Sequence, residues 1–231
     1  MIRWISVACL ALSLLYSQGT YELTFWGIPC GTITYTEADG HLEFICQSSS
    51  WIDWLYPFHN TYQVSFDTTH FTMLEGSKTI RQGERKQSLH YRWDETARAV
   101  HYEDKGSVSR TEPVTTILTL LALTCHRPPD AFDAHWYPME HEGALYRARF
   151  LRADRDTLTL GTEKVPCDHY RLDLEPVETS GKVLEHSDFF HEYITSPEMG
   201  KQLWVTTKSP KKILQAQINL SGITLTAKLL P

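Results

Sequence analysis

From Tyr21 onward, apolar and polar positions alternate with a period of two. Tyr21, Leu23 and Phe25 share one face of an extended chain, and Glu22 and Thr24 the other. Gly27-Ile28-Pro29-Cys30-Gly31 interrupts the alternation, since two glycines and a proline do not suit the middle of a regular central strand. The segment is expected to be a bulge that bends the first strand, with Ile33 and Tyr35 resuming the pattern. Asp39-Gly40 marks a two-residue hairpin turn, and Leu42, Phe44 and Cys46 form the return strand. That turn sets Ile33 opposite Cys46 and Cys30 opposite Ser49, so a Cys30–Cys46 bridge is disfavoured.

The same grammar continues. Trp51-Ile52-Asp53-Trp54-Leu55-Tyr56-Pro57-Phe58 is the densest aromatic cluster and fits one helical turn closed by Pro57. Short strands are expected at 61–67, 71–74, 87–93 and 99–102, with Gly76, Gly83, Asp94-Glu95 and Asp104-Lys105-Gly106 as turns. Pro113 opens the one long helix, from Val114 to about Cys125, with Thr111 or Glu112 as cap. Its stripe of Val114, Ile117, Leu118 and Leu121 is widened by Leu120 and Leu123, so the helix must be covered on most sides. It is too short to span a membrane. Strands follow at 134–137, 145–153, 157–160 and 164–174, then a short helix near 188–193 and a closing three-strand meander at 203–207, 213–219 and 223–229. The fold class expected is mainly β: a strongly curved antiparallel sheet or half-open β-barrel with one apolar helix in its concavity.

Ahead of this, Arg3 and the apolar run from Trp4 to Leu15 have the form of an export signal, with cleavage expected after Gly19 and a single domain from 20 to 231. Cys9 lies inside the apolar core, where it does not serve as a lipidation site. A periplasmic location follows as an expectation. Export would leave Cys30, Cys46, Cys125 and Cys167, which allow three pairings and one or two disulfides.

Hydrophobic content of 42% and an aromatic share of 12% supply a real core. The net charge of −6 argues against a nucleic-acid partner, which needs a positive field. Arg81, Arg85, Lys86 and Arg92 are diluted by Glu84 and Asp94 and read as a solvated face. Eleven histidines include the close pairs His135/His141 and His186/His191, but neither has the spacing of a zinc helix. Glu140 and Glu142 flank His141, where acid–base work and a polar turn explain them equally. No Gly-x-Ser-x-Gly elbow occurs, and no phosphate-cradling glycine loop. No catalytic residue, cofactor or metal is expected, and an enzyme is the least favoured class.

The opening Tyr21–Gly31 stretch resembles the start of the DUF3108 proteins of Gram-negative bacteria. So do Tyr56-Pro57-Phe58 leading to Tyr62 and Asp67, the helix after Pro113, Glu163-Lys164-Val165-Pro166-Cys167, and the ending from Leu203-Trp204-Val205 to Gly222-Ile223-Thr224-Leu225. The resemblance spans nearly the whole mature chain as scattered anchors. It implies an exported curved sheet with a helix in its concavity and brings no established activity. The chain departs from the family pattern at His59-Asn60-Thr61 and at Thr115-Thr116, where acidic residues are usual.

Two classes of function remain. One is a binding module that holds a lipid or other apolar ligand in a concavity the helix does not completely fill, with Trp26, Trp51, Trp54, Tyr56 and Leu121 as its expected cavity residues and Trp51 and Trp54 near the mouth, where the aromatic cluster would otherwise be a plug packing one end of the sheet. The other is a structural or protein-interaction module of the cell envelope, with a filled core.

Overall fold

A computed structural model describes residues 16–220 and 222–231 and consists of one continuous antiparallel sheet wrapped around a helix. Strands β1 (Tyr16–Phe25), β2 (Ile28–Ala38), β3 (His41–Ser48), β4 (His59–Phe66), β5 (Met73–Gln82), β6 (Arg85–Asp94), β7 (Ala99–Tyr102) and β8 (Gly106–Ser109) form a meander. Strands β9 (Tyr137–His141), β10 (Ala144–Leu160), β11 (Glu163–Glu178), β12 (Gly200–Thr206), β13 (Ile213–Leu220) and β14 (Ile223–Leu229) form a second one. β14 pairs with β1, which joins the two meanders into the order β8-β7-β6-β5-β4-β3-β2-β1-β14-β13-β12-β11-β10-β9. The two ends, β8 and β9, are not paired with each other, so the barrel is open at one seam.

The expected hairpin register is observed: Ile33 faces Cys46, and Ser49 N donates to Cys30 O. The opening stretch differs from expectation. Trp26 and Gly27 both have positive φ, 54° and 77°, which reverses the chain. Gly27–Gly31 is therefore the turn and start of a second strand rather than a bulge in one strand. A register slip at Cys30 does add a bulge, because Thr24 faces Pro29 while Leu23 faces Gly31. Gly31 is required there: a Cβ would lie 2.3 Å from the Gln47 carbonyl oxygen. Gly76 lies inside β5 rather than in a turn, with the Tyr91 ring packed over the place of its missing side chain. Asp154 likewise does not break the chain, since β10 passes through it with a register shift.

The long helix, α2 (Ile117–His126), begins three residues later than its pattern suggests. Val114 and Thr115 are spent in extended pairing, with Val114 O accepting from Met73 N and Thr115 N donating to Pro138 O. The cap is Thr116, whose hydroxyl accepts from Thr119 N while Thr119 Oγ1 accepts from Thr116 N. Ile117, Leu118, Leu120, Ala122 and Leu123 are buried, and the helix sits within the curved sheet as its apolar pattern requires. Its last residue, His126, bonds Glu37 at the lower end of the barrel, and Glu37 also accepts from Tyr35. A four-residue helix, α1 (Ser50–Asp53), and a six-residue one, α3 (Phe189–Ile194), lie at the upper end, α3 capped by Asp188.

Among the described residues Cys30, Cys46, Cys125 and Cys167 are free thiols, so none of the three pairings expected among them is present. Cys46 faces Asn60 and Ile33, Cys125 lies on α2, and burial pushes both thiols up to about 12. The apolar run 4–15 lies outside the described residues. Ser17, Gln18 and Gly19 lie in β1 opposite Glu37, Thr36 and Tyr35. Among the described residues no helix is long and apolar enough to cross a membrane.

Candidate functional site: an apolar cavity beside a buried charge cluster

Between α2, α3 and the inner face of the sheet lies a cavity of about 140 Å³. Leu118 and Leu121 reach it from α2, Phe190 and Ile194 from α3, and Ile33 and Ala216 from the sheet. These positions follow from strand parity and helix spacing, which put one apolar row on the concave face of each element. A second hollow, of about 100 Å³, lies nearer the surface and shares Phe190, Ile218 and Leu225 with the first. It is rimmed by Phe25 and Phe189, which are partly exposed and meet edge to face at 6.5 Å.

Of the residues expected to line a cavity, only Leu121 does so. Trp26 is 70% exposed at the β1–β2 turn and Trp54 86% exposed after α1, and Trp51 and Tyr56 are also on the surface. Trp51 Nε1 donates to Pro29 O, which fixes its ring against the β1–β2 hairpin. Their position in the connections between strands, the β1–β2 turn and the α1 segment between β3 and β4, puts them on the rim of the barrel, outside the wall.

A buried polar cluster borders the cavity on the seam side. Lys78 of β5 donates to Glu142, to Ser187 (2.9 Å) and to Asp188 (3.2 Å). Asp188 accepts from Tyr62 OH at 2.8 Å, and Ser187 donates to Glu142 at 2.6 Å. His191 Nδ1 lies 3.0 Å from Asp188, and the His191 ring stacks on His141 at 5.2 Å. Burial by itself would raise both carboxyls. The His191 and Lys78 side chains outweigh it and hold Glu142 and Asp188 below the usual range. Burial, reinforced by those same two side chains, pushes His141 down to about 3.

A second buried group completes the seam. Arg110 donates to Glu140 at 2.7 Å and to Gly143 O at 2.8 Å, while Tyr102 donates to Glu140 at 2.6 Å. Lys78, Tyr102 and Arg110 come from the β5–β8 edge, whereas Glu140 and Glu142 belong to β9 and its turn. Side-chain charges thus bridge the two edges where backbone pairing stops. Glu140-His141-Glu142 is therefore not a solvated turn, since all three are buried. Ligating atoms of Glu142, Asp188 and His191 lie within 4.8 Å of one another, but the Lys78 ammonium already sits on both carboxylates. The chemistry of this donor set is that of an ion-pair clasp.

Lys78 belongs to no motif in the sequence, although parity carries the signal of its position. It alternates in phase with Ile80 and Gln82 and so points inward. The pairing of His141 with His191 had no local signal, because 50 residues separate them.

A larger concavity, about 810 Å³, is a groove on the outer face of β2–β7. It is open to solvent and its side chains pair with each other, as in His41–Ser65 and Gln63–Glu43. It lacks the apolar wall and converging buried groups of a ligand site.

No protein-family model and no curated protein matches the sequence. Among solved structures, the chain is similar to one described as a crystal structure of a β-barrel-like protein of domain of unknown function DUF1849 from Brucella abortus. The two superpose with a TM-score of 0.59 over 94% of this chain and 96% of that one, at 6% sequence identity. At that identity the likeness is one of fold alone, a β-barrel-like sheet.

Proposed function

We propose that this protein is a non-enzymatic, periplasmic binding module of the cell envelope, a member of the DUF3108 family, that holds a single apolar chain between α2 and the sheet. The carrying observation is the apolar cavity of about 140 Å³ that α2 leaves unfilled. A cavity of roughly 150 Å³ accepts a benzene-sized molecule. Joined to the 100 Å³ hollow past Phe190, the space suits one flexible acyl or isoprenoid segment rather than a whole two-chain lipid. The apolar run before Leu15 and the anchors from Tyr21 to Leu225 support the export and family parts of this reading.

The test is displacement of the neutral fluorophore N-phenyl-1-naphthylamine by medium-chain alcohols, alongside native mass spectrometry of the purified protein. The wild type should bind the probe, and Leu121→Trp or Ala216→Phe, each placing a ring in the cavity, should lose binding with an unchanged circular dichroism spectrum. A wild type that binds neither probe nor chain, or folded variants that bind as well as wild type, would favour a filled envelope module instead.

A further inference from the structure

The upper end of the barrel carries an apolar surface that neither the core nor the cavity uses. Trp26 and Ile28 flank the β1–β2 turn, and Trp51, Trp54, Leu55 and Tyr56 stand on and after α1. The two groups adjoin, because Trp51 bonds Pro29 O and Ser49 N bonds Cys30 O. Trp54 is 86% and Leu55 62% exposed. Contiguous large apolar side chains of this kind mark an interaction site on a soluble surface.

The basic tip of the β5–β6 hairpin lies against this patch. Gly83 N donates to Pro57 O, and the Tyr56 ring lies 3.3 Å from where a Gly83 Cβ would be. Arg81 and Lys86 are directly opposite each other across the two strands. Like charges so placed repel, yet neither makes an ion pair among the described residues. Arg85 is nearby and bonds Ser187 O, while Glu84 is the one acid of the tip, in a chain whose net charge is −6. Local cations are therefore kept, unpaired, beside exposed tryptophan and tyrosine.

From this juxtaposition we infer that the upper rim docks on an anionic lipid bilayer surface. Trp26, Trp54 and Leu55 enter the headgroup–acyl boundary, and Arg81 and Lys86 meet lipid phosphates. Indole and phenol rings partition to that boundary because they are apolar bodies with a polar edge. Unpaired cations near it gain from the negative surface potential. The same rim carries Phe25 and Phe189 at the outer hollow, so a docked protein would present that hollow toward the bilayer. The docking surface stands on its own residues and does not depend on the cavity being loaded.

Flotation with vesicles of phosphatidylcholine, with and without phosphatidylglycerol, tests the inference. The full chain should float with the phosphatidylglycerol vesicles and far less with phosphatidylcholine alone. Trp26→Ser with Trp54→Ser should lower partitioning at least about tenfold. Arg81→Gln with Lys86→Gln should lower it roughly thirtyfold and flatten its salt dependence. All four side chains are solvent-facing, and circular dichroism would confirm that the variants are folded. Failure of the wild type to float with anionic vesicles, or variants that float like wild type, overturns the inference. A dimer by light scattering that Trp26→Ser with Trp54→Ser dissolves overturns it too, by assigning the patch to a second copy of the chain.

Discussion

His141 should make this protein lose stability on mild acidification, before its carboxylates titrate. Its side chain is buried at the seam, stacked on His191 and edge-on to Tyr146. Burial, together with the neighbouring His191 and Lys78 side chains, lowers its pKa from 6.5 to about 3, against the opposing pull of Glu142. The folded pKa is depressed, so the unfolded chain takes up a proton that the folded one refuses. The contribution is present above the unfolded value and is lost as pH falls toward the folded one. One differential proton costs about 1.4 kcal/mol per pH unit. Between pH 6.5 and 4.5, where the ordinary glutamate range begins, the loss from this group amounts to roughly 2 kcal/mol. His126 acts in the other direction and at higher pH, because its hydrogen bond to Glu37 raises its pKa. Its contribution is present below 6.5 and fades as pH rises through the folded value. The assay is urea unfolding followed by tryptophan fluorescence across this pH range, for wild type and His141→Phe. The variant keeps an aromatic ring at the stack and should show a markedly shallower slope. A wild type whose stability is flat from pH 6.5 to 4.5, or a variant with an unchanged slope, would refute the reasoning.

Three further outcomes follow from the packing. Lys78→Met leaves Glu142 and Asp188 buried without their ammonium and should cost about 3–5 kcal/mol by urea unfolding, partly recovered by adding Glu142→Gln; a cost near zero would mean the seam is held by something else. Gly31→Ala forces a methyl against the Gln47 carbonyl and the Phe58 ring and should cost about 1–3 kcal/mol in the same measurement. In native-state alkylation read by mass spectrometry at mildly alkaline pH, Cys46 and Cys125 should stay unmodified, since burial disfavours their thiolates, and should react once urea is added.

Much of the fold could be read from local pattern. The Asp39-Gly40 turn, the Ile33–Cys46 register, the short helix after Asp188 and the closing meander all rest on period-two alternation and turn chemistry, which act over a few residues. Structure departs from local pattern where a residue type with a local preference is overruled by contacts distant in sequence. Gly76 looked like a turn but makes room for Tyr91 from the next strand, and Pro113 looked like a helix start until pairing with Met73 and Pro138 held Val114 and Thr115 extended. The candidate site was less legible. Leu121 was found because helix spacing alone puts it on the inner stripe. Trp51 and Trp54, expected near the mouth, do stand on a rim, but it is the outer rim of the barrel. Neither they nor Trp26 and Tyr56 reach the cavity, because the β1–β2 turn and the α1 connection carry them outward.

On its own, then, the sequence determines that this chain forms one curved antiparallel sheet around an apolar helix, because alternation and a nearly all-apolar stretch leave those segments few ways to bury their faces. Three things were decided only by the tertiary structure. One is the space left between α2 and the sheet, which depends on the sum of many side-chain volumes. Another is the seam clasp, in which Lys78, Glu142, Asp188 and His191 meet from segments up to 113 residues apart. The last is the clustering of Trp26, Trp54 and the Arg81–Lys86 pair on one rim, because adjacency between neighbouring hairpin ends is set by the curl of the sheet and by no short-range rule.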